Sequence, residues 1–116
     1  MKPTDLMIKD LVMVKVLSQI PNTYVLHTWT ANDYSRDLQV KPIPLTTEIL
    51  EKNGWERNGI FMEKKIDENT HLRWTGICGS VLSRGNYYMC DCNYVHTLQH
   101  ALRLCGFYEL ANNFKI

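Results

Sequence analysis

Residues 94–106 read Tyr94-Val95-His96-Thr97-Leu98-Gln99-His100-Ala101-Leu102-Arg103-Leu104-Cys105-Gly106. At about 100° per residue, Tyr94, Val95, Leu98, Ala101, Leu102 and Cys105 fall on one stripe of a helix. His96, Gln99, His100 and Arg103 fall on the other side. Asp91 or Asn93 is placed to cap the start, and Gly106 to end it. The period predicts a helix over 94–104 that lays its apolar stripe on a sheet and turns its polar side to solvent or a partner. Residues 107–114 read as one more turn, with Phe107, Leu110 and Phe114 packing back.

Upstream of this helix the chain reads as strands. Residues 11–17 are apolar and β-branched, with Val12, Val14 and Val16 on one face. Pro21-Asn22 marks a turn, and residues 23–30 a second strand. Residues 31–37 are polar and read as a loop, and residues 38–43 as extended. Ile60–Ile66 and His71–Cys78 read as hairpin arms joined by residues 67–70. Ile60, Met62 and Ile66 line one face of the first arm, and Lys64 breaks that pattern. Residues 79–85 read as a turn and residues 87–92 as the last strand. One helix interrupts the β region at about residues 47–53. Thr46 is its predicted N-cap, Leu45 and Leu50 its hydrophobic staple, and Gly54 its left-handed stop.

These elements predict an α+β fold. It is a small bent antiparallel sheet or partly open SH3-like barrel, with a short mid-chain helix and an amphipathic C-terminal helix. Val12, Val14, Leu26, Leu50, Ile60, Trp74, Leu98 and Leu102 are the expected core. The 116 residues suit one domain, 1–116, and the 45% apolar and 22% charged content is that of a globular chain.

Thirteen Lys and Arg against twelve Asp and Glu give a net charge of +1, which supplies no long-range attraction toward nucleic acid or anionic lipid. No apolar run reaches the length of a signal peptide core or a membrane span. The expected location is the cytoplasm, and the expected partner is a protein. In that compartment Cys78, Cys90, Cys92 and Cys105 are thiols or metal ligands, not bridges.

Three constellations carry chemistry. Cys90, Cys92, His96 and His100 offer two thiolates and two imidazoles, a complete donor set for zinc. Their confinement to eleven consecutive residues favours packed thiols and exposed histidines instead, so no cofactor is the first expectation and zinc the alternative. Trp55, Arg57, Arg73, Trp74, Arg84, Tyr87 and Tyr88 mix aromatics with cations, as a small nucleic-acid-binding barrel would. The competing reading places Trp74 in the core and Trp55 over the short helix. A Cys nucleophile needs a base and an orienting group, and nothing in the pattern brings them together. No catalytic residue is therefore assigned.

Two segments, Pro42-Ile43-Pro44-Leu45-Thr46-Thr47-Glu48-Ile49-Leu50-Glu51-Lys52-Asn53-Gly54-Trp55 and Tyr94-Val95-His96-Thr97-Leu98-Gln99-His100, carry a resemblance. They resemble motifs of a group of small uncharacterised bacterial proteins, often encoded on phage or mobile elements. Residues 5–15 also look like that group's opening. The resemblance implies no activity. In its pattern ordinary strand residues precede Tyr-Val-His, so Cys90 and Cys92 depart from it and the zinc reading loses weight. The function expected on these grounds is a non-enzymatic accessory or interaction module. Its surface is the helix face of His96, Gln99, His100 and Arg103.

Overall fold

The mid-chain helix forms where its caps predict it. A computed structural model describes residues 5–15, 24–35, 39–76, 81–85 and 87–116. In it α1 spans Thr47–Lys52, and Thr46 Oγ1 accepts the Ile49 amide at 3.2 Å. Leu45 and Leu50 close over the cap and are both buried. Gly54 takes the left-handed conformation (φ 83°) that a side chain disfavours.

Before α1, the strands β1 (Leu11–Lys15), β2 (Tyr24–Thr28) and β3 (Val40–Lys41) form an antiparallel sheet in the order β2-β1-β3. After it, β4 (Glu56–Asn58), β5 (Phe61–Asp67), β6 (Thr70–Thr75), β7 (Val81–Arg84) and β8 (Tyr87–Asp91) form a five-stranded antiparallel meander. The helices α2 (Val95–Leu104) and α3 (Tyr108–Asn112) follow. The chain is thus a small α+β protein with its strands shared between two sheets, and among the described residues neither closes into a barrel. An isolated bridge between Pro44 and Tyr94 links the segment leaving β3 to the segment entering α2. No described helix is long and apolar enough to cross a membrane.

Both faces of β1 are used, as the period of two requires. Leu11 and Met13 face the main core, which gathers Leu50, Met62, Leu72, Trp74, Leu82, Leu98 and Leu102 around α2. Val12 and Val14 face a second, smaller core with Leu6, Trp29 and Val40. Trp29 is completely buried there and meets Tyr34 edge to face.

Six of the eight expected core residues are buried, and two are not. Ile60 is 59% exposed because it sits in the turn between β4 and β5, so the buried face of β5 begins at Met62. Leu26 is 50% exposed, because β2 is an edge strand and the core under Leu11 and Met13 does not extend beneath it. Residues 81–84, expected as part of a turn, form β7, with Leu82 between Trp74 and Cys90. Part of the expected loop at 31–37 is a 3-10 turn over Ala31–Ser35. Val16, the Pro21-Asn22 turn and Cys78 lie outside the described residues.

Candidate functional site at the polar face of the C-terminal helix

α2 forms as its period predicts, with Val95, Leu98, Ala101 and Leu102 buried. Its start has no side-chain cap; the Val95 amide is instead taken by the Ile43 carbonyl at 2.9 Å. Asp91 and Asn93 therefore do not cap it. Cys105, expected on the buried stripe, is half-buried at the helix end.

The polar side of α2 is also covered. Gln99 is completely buried and Arg103 is 9% exposed, whereas His96 and His100 are half-buried. The four residues therefore do not form the exposed surface that the helical wheel predicts. The cause is the loop before β1, which packs against this side and brings Asp10, also completely buried.

Asp10 joins three groups. One carboxylate oxygen accepts from Arg103 Nη1, and the other accepts from His100 Nε2 and, at 2.8 Å, from the Met7 amide. The Asp10 amide returns to the Met7 carbonyl at 3.1 Å, so the turn is closed by backbone and side chain together. Burial pushes the carboxyl up, but the bonds from His100, Met7 and Arg103 outweigh it and hold it below the usual carboxylate range. Asp10 is an anion clamped between two cationic or cation-capable side chains.

Gln99 completes the cluster. Its Oε1 accepts the Leu11 amide at 2.8 Å, and its Nε2 donates to the carbonyls of Lys9 at 3.0 Å and Ala111 at 2.9 Å. One side chain thus ties β1, the Lys9 turn and α3 to α2. Lys9 has φ 76°, uncommon for a residue with a side chain, and its carbonyl is one that Gln99 holds.

His96 stacks on Tyr94, with ring centroids 5.9 Å apart, and meets His100 edge to face at 5.5 Å. Burial, reinforced by the neighbouring His100, pushes its pKa below the ordinary histidine value. Its Nδ1 is buried without a hydrogen-bond partner.

The zinc set is not assembled. Cys92 is completely buried in the main core, and burial pushes its thiol up to about 12, far from the thiolate a metal needs. Burial likewise raises Cys90. His100 Nε2 is committed to Asp10. Among the described residues no three His, Cys, Asp or Glu side chains converge to hold a metal.

The aromatic and basic set is dispersed as well. Trp55 and Trp74 are buried, the latter donating to the Cys92 carbonyl at 2.8 Å. Arg73 pairs with Glu63 at 2.8 Å, and Arg84 lies over the Phe107 ring. Only Tyr87 and Tyr88 of that set present large exposed rings, 81% and 64% accessible on β8.

Asp10 is the residue that sequence reasoning missed. The available signal was the row His96, Gln99, His100, Arg103 at spacings of three and four, which gathers cation-capable groups and an amide on one side of a helix. Such a row invites a buried carboxylate. No family model, curated protein or solved structure matches the chain.

Proposed function

We propose that the protein is a non-enzymatic interaction module that binds an extended segment of a partner protein along β8. The observation that carries this reading is the contrast between the two edges of the five-stranded sheet. β4, at one edge, is three residues long, and all three (Glu56, Arg57 and Asn58) are polar and exposed. A short charged edge of this kind discourages pairing with another chain. β8, at the other edge, is five residues long, carries Tyr87 and Tyr88 in the open, and has a single charge, Asp91. Among the described residues it pairs only with β7. Such an edge offers main-chain hydrogen bonds for affinity and tyrosine rings for selectivity.

The polar cluster supports a binding role over a catalytic one. Asp10 is spent on Arg103, His100 and the Met7 amide, Arg103 on Asp10 and Asn112, and Gln99 on backbone groups of three segments, which is the work of a clasp. A cytoplasmic location and a phage or mobile-element origin are part of the proposal; the first rests on the lack of an apolar run of signal-peptide or membrane-span length, the second on the sequence resemblance.

The test compares wild type with the double variant Tyr87→Ser, Tyr88→Ser in affinity capture from cells of the source organism. The proposal expects a discrete protein retained by wild type and lost from the variant at unchanged thermal stability. Equal retention by both proteins would count against β8 as the docking edge.

A further inference from the structure

Lys64 occupies a place that its neighbours reserve for apolar side chains. On β5, Met62, Lys64 and Ile66 share one face by the period of two. Met62 is buried and Ile66 packs on the main core. The cross-strand partner of Lys64 is Leu72, itself 1% exposed. Lys64 nonetheless makes no ion pair or side-chain hydrogen bond among the described residues.

Lys64 lines a cavity of about 390 Å³ between the end of α1, β5, α3 and the C-terminal tail. Lys64 Nζ lies beside Gly54, 2.9 Å from where a Cβ would stand. The apolar lining is Trp55, Leu102, Leu110 and Phe114. Lys52 and Lys115 also line the cavity, so among its lining residues three lysines stand against one acidic residue, Glu109. Lys115 is held in place: its amide donates to Asn53 Oδ1 at 2.8 Å, and Asn53 Nδ2 donates to the Lys115 carbonyl at 2.8 Å. Asn53 Nδ2 also bonds the Ile49 carbonyl at 2.8 Å, which anchors the whole arrangement to α1.

From this geometry we infer that the cavity is a binding site for a small amphipathic carboxylate, its apolar body on Trp55 and Phe114 and its head among Lys52, Lys64 and Lys115. An apolar floor with a few convergent polar groups is the usual form of a small-molecule site, and the volume suits a ligand of about a dozen heavy atoms. The lysine rim selects an anion over a neutral or cationic molecule of the same shape. The apolar floor selects an amphiphile over inorganic phosphate. This site is separate from β8 and from the Asp10 cluster.

Decanoate, decyltrimethylammonium and inorganic phosphate, each below any micellar concentration, are titrated into the full chain while the Trp55 indole N–H resonance is followed. The inference expects a saturable shift with decanoate alone. It further expects the double variant Lys64→Gln, Lys115→Gln to weaken decanoate about tenfold at an unchanged melting temperature. No saturable shift with decanoate, or equal affinity for the two amphiphiles, would overturn it. The comparison of anion with cation in wild type settles the matter even if the lysine variant folds poorly.

Discussion

Replacing Asp10 by Asn removes one charge and almost no volume, and so probes the clasp between the first sheet and α2. In the folded protein the Asn side chain meets three donors, from His100, Arg103 and the Met7 amide, with a single carbonyl oxygen. Its own amide hydrogens point at donors. Arg103 is left 9% exposed with only long contacts of 3.3–3.4 Å to Asn112 Oδ1. Breaking a buried ion pair by removing one partner costs roughly 3–5 kcal/mol. Because His100 keeps some access to water (side chain 22% exposed), the lower end applies, about 3 kcal/mol. For a domain of this size that is a fall in Tm on the order of 10 °C. Urea unfolding monitored by tryptophan fluorescence measures it directly. The pKa of Asp10 is lower in the folded chain than its ordinary value of 3.8. Its contribution is therefore fully present above that value and is lost as pH falls below it. The gap between wild type and variant should accordingly close on acidification below about pH 4. A variant within about 0.5 kcal/mol of wild type at pH 7 would refute the clasp.

Gln99→Leu should cost about 3 kcal/mol in the same assay, because it strands the Leu11 amide and the Lys9 and Ala111 carbonyls in the interior. A loss no larger than that of an ordinary surface substitution would show that these groups find other partners. Thr46→Ala should cost about 1 kcal/mol through loss of the α1 cap, and an unchanged melting temperature would disprove the cap's role. Thiol labelling of the native protein at pH 8 should spare Cys92, whose thiol burial pushes up to about 12, and unfolding should release it. Rapid native labelling of Cys92, located by mass spectrometry, would contradict its place in the core.

Local signals in the sequence marked the elements that depend on local physics. The α1 caps, the stripe of α2 and the hairpin of β5 and β6 are visible because capping chemistry and period act over a few residues. The covering of the polar face of α2 is not local. Asp10 and His100 lie 90 positions apart, and Asp10 in sequence resembles the end of a polar turn. A helical wheel separates apolar from polar positions, but it treats a polar group facing solvent and one facing a buried carboxylate alike. That is why Gln99 and Arg103 read as exposed. β7 was hidden for a related reason: Ser83, Arg84 and Gly85 resemble a turn, and pairing with β6 and β8 on both sides makes the segment a strand. β4, wholly polar, has no periodic signature and is fixed by its register with β5.

The proposed binding edge is tested most directly by placing a photoactivatable phenylalanine analogue at position 88 of β8 and, as a control, at position 57 of β4. Irradiation in cells of the source organism should give a discrete protein adduct from position 88 and none from position 57. Adducts of equal yield at both positions, or adducts from position 57 alone, would contradict the assignment of β8 as the working surface.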